Sequence, residues 1–469
     1  MTNNSWTAAV AQSLQEILTP ARALTGNAIG ADYCHDELPG GTPSTPDGVC
    51  LAETTEEVAA VLRICSGSGV PVTVRGAGTG MVGGSVPVQG GVVLAMGRMD
   101  QILGYDEETM TVRVQPGVLL SDLKADAESK GLYYPPDPGE KTATIGGNAA
   151  TNAGGPCAVK YGVTRDYVMG ATVVLATGDV LTLSKTREKN NAGYELLQLI
   201  LGSEGTLGVI TELTLKLLPK PKADVALILP FMDGDTCVKA AVRIRKEGLV
   251  PATLEYMDTD LVEFAGKVTG SPVFPVEMDG ERIGASLLVT LEGEDDEALD
   301  SQMERLAELA EELECLDILV VDTPTLKRDV WAAHEAFHTA VESAAKSADE
   351  LNMSVPTETM AEFVEYVKEL GAEKGLGVYA YGHAGDGGVH IYVCSNDDRE
   401  TFAPVMTEVA DSAYAKCREL GGHVSSEHGI GYAKKVYLQE ALGEAGYALL
   451  GRIKAAFDPN GILNPGKVV

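Results

Sequence analysis

The sequence predicts an α+β fold with more than one domain. Three observations predict it. The chain has 469 residues, too many for one ordinary core. Residues 42–220 carry many short strand patterns and few helices. Past Pro219-Lys220-Pro221, where dense proline ends regular structure, strands alternate with amphipathic helices, the rhythm of an antiparallel sheet backed by helices.

The elements follow in order. Residues 1–41 begin with a helical segment and end in the loop LPGGTPSTPDG. ETTEEVAAVLRICSGSG is a helix, with Thr54 or Thr55 as cap, Glu56 and Glu57 in its first turn and glycines at its end. VPVTVR (70–75) is a buried strand. GGVVLAM and TMTVRVQPG are short strands, SDLKADAESKG is a helix, and ATVVLATGDVLTL is a hairpin turning at Thr177-Gly178-Asp179. Beyond the prolines, DVALILPF and GASLLVTLEG are strands, and TCVKAAVRIRKEG and DEALDSQMERLAELAEELE are helices. A last helix near 436–457 ends at Phe457-Asp458-Pro459.

Composition excludes some functions. The net charge of −32 gives a surface that repels nucleic acid and anionic membrane. Solubility, or a salty cytoplasm, is the plain reading of that charge. An enzyme for carboxylates would need a local positive centre inside it, which a bound cation supplies. There is no run of eighteen apolar residues and no basic-then-apolar leader, so the expected location is cytoplasmic and without a membrane span. The eight cysteines form no C-x-x-C pair; they read as reduced, mostly buried thiols rather than cluster or zinc ligands.

Arg75-Gly76-Ala77-Gly78-Thr79-Gly80-Met81-Val82-Gly83-Gly84 follows a strand and contains a literal G-x-G-x-x-G. A dinucleotide-binding Rossmann loop needs a helix to start at the third glycine. The continuation SVPVQGGVVLAM, with Pro87, Gly90 and Gly91, forbids one. The loop can still hold pyrophosphate through consecutive glycine N–H groups. A plain tight turn is the competing reading, but five glycines in residues 76–84 exceed what a turn needs. A second small-residue tract, Ala143 to Gly155, permits close approach to an extended ligand. Pro135-Pro136-Asp137-Pro138-Gly139 precedes it; Lys160-Tyr161-Gly162 and Gly202-Ser203-Glu204-Gly205-Thr206-Leu207-Gly208-Val209-Ile210-Thr211 follow.

Taken in this order, from about residue 42 to 467, these motifs resemble the FAD-dependent D-2-hydroxy-acid dehydrogenase family. That is the D-lactate dehydrogenase, glycolate oxidase and D-2-hydroxyglutarate dehydrogenase branch of the vanillyl-alcohol oxidase superfamily. The resemblance implies a two-subdomain FAD-binding domain of vanillyl-alcohol-oxidase type plus a cap domain with an antiparallel sheet backed by helices. Its expected bounds are 1–41 for the N-terminal helical segment, 42–220 for the FAD domain, 221–425 for the substrate or cap domain, and 426–469 for a segment returning to the FAD domain. It implies that Arg75, Gly76, Ala77, Gly78, Thr79, Gly80, Gly83, Gly84 and Ser85 line the pyrophosphate. Pro138, Thr142, Ile145, Gly147, Asn148, Asn152, Gly154, Ile210 and Asn464 would hold the rest of FAD. The loop has no His or Cys, so the implied FAD is non-covalent. Lys467 reads as a charge near the cofactor or, by preference, a solvated chain end.

Four of the seven histidines lie between 383 and 428. His383 and His390 stand seven apart across a glycine-rich turn, a spacing that suits a hairpin bringing both rings to one point. Ser426-Glu427-His428-Gly429-Ile430-Gly431 adds a carboxylate and another imidazole. Two His and one carboxylate is a common recipe for a divalent metal site with open positions. The resemblance agrees: it implies His383, His390 and Glu427 as ligands, of zinc first and manganese or iron as alternatives. It implies His428 as the general base that takes the substrate hydroxyl proton while the hydride goes to flavin.

Three departures from the family pattern bear on substrate. Gly388 stands for the asparagine of G-D-G-N, His334 for the arginine of W-x-x-R-E, and Thr357 follows Val355-Pro356 where a basic residue is common. Arg328, His334 and His338 are the expected substrate-binding residues; an exposed helix face is the plain reading of the two histidines. The expected reaction is oxidation of a small D-2-hydroxy acid to the 2-oxo acid. Electrons pass to a separate acceptor such as an electron-transferring flavoprotein, and a homodimer is an allowed assembly. The alternatives are a catalytically silent FAD electron-transfer subunit, which should have lost His383, His390, Glu427 and His428, and an oxygen-using oxidase.

Overall fold

The computed structural model describes residues 6–184 and 192–469, so the first five residues of the N-terminal segment lie outside it. The chain divides into two compact units: Met1–Ala153 with Val163–Lys220 and His428–Val469, and Gly154–Gly162 with Pro221–Glu427. The fold is α+β, as the strand and helix patterning predicts.

The first unit holds two sheets. One has four strands in the order Ala23–Thr25, Gly48–Leu51, Val92–Ala95, Val72–Arg75, the last three parallel. Parallel strands need crossovers, and the helix Thr55–Ser68 is one. Thr54 caps it, accepting the Glu57 N–H at 3.2 Å, and Gly69 ends it in the left-handed conformation. Val58, Val61, Leu62, Val72 and Leu94 pack with Leu14 and Leu18 of the helix Ala8–Leu18 into one core. The other sheet is antiparallel, in the order Ile102–Asp106, Thr111–Val114, Val209–Lys216, Val168–Val174, Val180–Ser184. Its last two strands are the expected hairpin; Gly178 sits at φ +82 in the turn. The tract 143–155 contains a short helix, Ile145–Thr151, where the sequence reads only as small residues.

The second unit is a seven-stranded antiparallel sheet. Its order is Leu319–Val321, Ala223–Phe231, Ala285–Gly293, Thr253–Asp258, Gly377–His383, Gly388–Ser395, Ser347–Ser354. Side chains alternate across a sheet, so directly opposed residues share a face. Glu255 opposes His383, Met257 opposes Tyr381, Tyr381 opposes His390, Asn352 opposes His390, and Glu350 opposes Tyr392. Register therefore collects Glu255, His383, His390, Asn352 and Glu350 on one face. The rest of that face is apolar: Met257, Leu288 and Tyr392 pack with Leu261, Val330, Phe337 and Val341 of the helices Thr259–Thr269, Pro324–Glu335 and Phe337–Ala344. Among the described residues no helix is long and apolar enough to cross a membrane. All eight cysteines are free, and six of them are buried.

Candidate active site

The glycine loop is backbone-built. No helix occurs between residues 76 and 91, which removes the Rossmann reading. Arg75, buried at the end of its strand, donates to the His35 carbonyl at 2.6 Å, to Ser85 Oγ at 3.3 Å and to the Ala77 carbonyl at 3.5 Å. It thereby ties both ends of the loop together. Gly83 has φ +75, and a Cβ there would lie 2.0 Å from the Tyr432 ring. Only glycine meets both conditions. Ala77 and Gly80 are exposed, and Gly78, Thr79, Gly84 and Ser85 partly so, which leaves the loop open to a ligand.

The other expected FAD residues of the first unit are distributed around it. Thr144 caps the helix Ile145–Thr151 by accepting the Gly147 N–H, and Gly76 lies against the same Thr144 side chain. Ile145 and Asn148 are buried in that helix. Asn152 ends it at φ +54 and accepts the Arg165 N–H at 3.0 Å. Ile210 is buried on its strand; Thr142 is exposed and bonded to Glu140. Pro138 lies in the loop before it, its carbonyl accepting from Lys141 at 3.4 Å. Gly154 belongs to the second unit, where a Cβ would meet Glu427 at 3.2 Å.

Asn464 is buried and donates to the carbonyls of Gly84 at 2.9 Å and Glu204 at 2.7 Å. Its oxygen accepts from Lys467 Nζ at 2.5 Å. Lys467 is 1% exposed, which corrects the preferred reading of a solvated end. Burial pushes its ammonium down to about 7, against the pull of Asp36 and Glu204. Glu204 is itself buried and accepts the N–H groups of Ile430 and Gly431 at 2.7 and 2.8 Å.

The second unit carries an imidazole–carboxylate cluster. The turn 384–387 reverses the chain between the histidine strands: the N–H groups of Asp386 and Gly387 donate to the His383 carbonyl. Gly387 has φ +92 and runs against the Val355 carbonyl, so no other residue fits. His383 Nε2 and His390 Nε2 face each other at 3.4 Å. Glu427 reaches them at 3.0 Å (Oε1 to His383) and 3.7 Å (Oε2 to His390). Glu427 is set by Asn352, whose side-chain oxygen accepts the N–H groups of Ser426 and Glu427 at 3.2 and 3.1 Å. The hairpin thus brings His383 and His390 together, with Glu427 beside them.

Each ring is held from behind. His383 Nδ1 lies 2.8 Å from Glu255 Oε2, and His390 Nδ1 lies 2.6 Å from Glu350 Oε1. An imidazole that donates from Nδ1 to its carboxylate and gives up its other proton offers an Nε2 lone pair to the spot both rings face, so this group can hold a cation in place of that proton. Bonds of about 2.0–2.1 Å at tetrahedral angles place zinc ligand atoms roughly 3.4 Å apart, near the spacing of these atoms. Burial disfavours a charged His383, but Glu255 and Glu427 outweigh it and hold its pKa well above the ordinary imidazole range. Burial alone would raise Glu255; His383 and His334 instead hold it at about 2.

The three expected substrate residues do not come together. Arg328 is 71% exposed and paired with its neighbour Asp329. His334 is buried, not on an exposed face, among Trp331, Phe337 and Tyr381. His338 is half-buried beside Glu342 and Glu350. Glu255, Glu350 and Asn352 escape the sequence reading. The available signal was an acidic residue inside an apolar strand, as in PATLEYMD, because a buried carboxylate needs a partner.

Residues 220–468 match the family described as FAD linked oxidases, C-terminal domain, and residues 46–184 match the FAD binding domain family. The chain is 47% identical to a D-lactate dehydrogenase of Anaerostipes hadrus, over 99% of this chain and 98% of that one. It is 37% identical to the glycolate oxidase subunit GlcD of Bacillus subtilis (strain 168), over 98% and 96%. In fold it is similar to a p-cresol methylhydroxylase structure, with TM-score 0.80, 19% identity, and 98% and 96% of the two chains covered. The chain belongs to the FAD-dependent D-2-hydroxy-acid dehydrogenase family, within the vanillyl-alcohol-oxidase fold, and is an FAD-dependent oxidoreductase.

Proposed function

We propose that this chain oxidises a small D-2-hydroxy acid to the 2-oxo acid at a divalent metal centre held by His383, His390 and Glu427. The observation that carries the reading is the pair of Nε2 atoms 3.4 Å apart, with both Nδ1 atoms engaged by buried carboxylates and Glu427 beside them. Bound FAD supplies the hydride acceptor. A bound divalent cation supplies a Lewis acid for the hydroxyl and one carboxylate oxygen. Zinc suits the two-imidazole, one-carboxylate donor set, with manganese and iron as the alternatives.

The protein's own groups do the rest. The glycine N–H groups of 76–85 cradle the pyrophosphate of a non-covalent FAD, with Asn148, Asn152, Ile210 and Asn464 among the residues assigned to the remainder. His428 accepts the hydroxyl proton; an imidazole suits this because its ordinary pKa, about 6.5, lies near neutral pH. Electrons leave to a separate acceptor, for which an electron-transferring flavoprotein is the proposed class, and the enzyme acts in the cytoplasm.

The test is a dye-coupled screen of D- and L-2-hydroxy acids, beginning with D-lactate because of the 47% identical relative of that name, together with metal analysis. Turnover of a D-acid with about one metal per chain is expected. Preference for L-acids would overturn the substrate class, and full turnover by metal-free enzyme would overturn the metal centre. Fast reoxidation of the reduced protein by air would replace the separate acceptor with oxygen.

A further inference from the structure

Two contact chains run outward from the ligand histidines. In one, His383 Nδ1 meets Glu255, and behind it His334 Nε2 lies 3.4 Å from Glu255 Oε2. In the other, His390 Nδ1 meets Glu350, and behind it His338 Nδ1 lies 3.5 Å from Glu350 Oε2. The sequence fits this duplication. His334 and His338 stand four apart on the helices Pro324–Glu335 and Phe337–Ala344, which join at Ala336. Ala336 keeps helical torsions (φ −78, ψ −6), so the two rings project to one side as on a single helix.

The surroundings make the outer rings matter. Glu255 is fully buried, and the Glu350 side chain is 4% exposed. A buried carboxylate that loses a partner is less well compensated and freer to turn. His334 is pinned by aromatic rings at 5.2–5.3 Å: Trp331, Phe337 and Tyr381. His338 lies 5.7 Å from the Tyr392 ring and 3.4 Å from Glu342. His334 Nε2 makes no aligned hydrogen bond, so the ring meets Glu255 by close approach within its aromatic packing.

We infer that His334 and His338 are positioning residues of the metal site: acting through Glu255 and Glu350, they fix the orientation of His383 and His390 and thereby the affinity for a divalent cation. This gives the two helix histidines a task other than gripping substrate. It rests on the metal reading above.

The test uses the full-length FAD-loaded enzyme, stripped of metal and titrated with Zn²⁺ against a chromophoric chelator. Wild type should bind one ion, and His390→Ala should bind none at that site. His334→Ala and His338→Ala should each bind one ion with Kd raised about 3- to 10-fold, at or below the low end of the range for lost direct partners of metal ligands, because each acts through an intervening carboxylate. His334→Phe, which keeps the aromatic packing without the ring nitrogens, should show the same loss, because the approach to Glu255 runs through Nε2. The flavin absorbance and thermal midpoint of each variant report whether it folds; if His334→Ala does not, His338→Ala and His334→Phe carry the test. Unchanged Zn²⁺ affinity in both alanine variants, with binding still abolished in His390→Ala, would overturn the inference and leave the metal reading standing. A wild type that binds no ion would overturn both.

Discussion

The glycine loop at 76–85 and the cluster around His383 differ in what builds them. The loop is made of backbone, and its fitness depends on side chains being absent: Gly83 leaves room for Tyr432. The cluster is made of side chains from neighbouring strands, and its fitness depends on register. A shift of one residue between Thr253–Asp258 and Gly377–His383 would turn Glu255 to the opposite face from His383. A backbone site can be spelled in one short segment. A side-chain site buried in a sheet has to be assembled from residues far apart in the chain, here 255, 350, 352, 383, 390 and 427.

That difference predicts separable damage. The largest effect belongs to His390→Ala, which removes a ligand. Turnover should fall by about 10³-fold or more, because several kcal/mol of charge stabilisation is lost, while the flavin spectrum stays intact. Stopped assays on metal-analysed protein check it; loss of FAD along with metal would show that the two sites are not independent. Gly83→Ala strikes the other side. Its Cβ would overlap the Tyr432 ring at a positive φ, a strain of about 1–3 kcal/mol, so FAD affinity should drop roughly tenfold or more. Fluorescence titration measures this, and Zn²⁺ stoichiometry should not change.

Gly388→Asn restores the residue usual in the family, and smaller damage is expected here rather than improvement. A Cβ at 388 would lie 2.4 Å from Ser426 Oγ and 3.1 Å from a His383 ring carbon. Ser426 can rotate away, but His383 is held by Glu255. A few-fold weaker Zn²⁺ affinity, about 1 kcal/mol, is expected in the chelator assay. A gain in affinity would mean that the turn adapts.

The smallest effect concerns Lys467 and is read as a pH dependence. Its folded pKa, about 7, lies below the ordinary lysine value of 10.5. Between these values the unfolded chain binds more protons, so this group makes stability rise with pH in that window. In FAD-free protein, the stability of wild type relative to Lys467→Met should therefore rise from pH 7 towards 10.5. Denaturant melts at several pH values check it, and a flat difference would mean that the ammonium is solvated after all.

Much of the molecule was legible in advance because it is written locally. The helix 55–68 announces its own cap and stop, and the hairpin at 177–179 its own turn. The glycine loop shows its lack of a helix through Pro87 and Gly90-Gly91. His383 and His390 were legible because one turn joins them, and Glu427 because the E-H-G-I-G motif marks it. Their supports were not. Glu255, Glu350 and Asn352 lie in strands that the sequence pattern does not single out, and only pairing register puts them beside the rings. Arg328 shows the reverse: its charge suggested a substrate partner, but its place on the helix leaves it on the surface with Asp329.

The sequence by itself determined the α+β class and a glycine loop without a helix, because these depend on torsion preferences and short-range spacing. The tertiary structure alone decided that Lys467 is buried, that His334 and His338 stand behind carboxylates, and that two Nε2 atoms converge. Burial and the choice of partner are properties of strand pairing and helix packing between distant segments, and no local pattern in the chain encodes them.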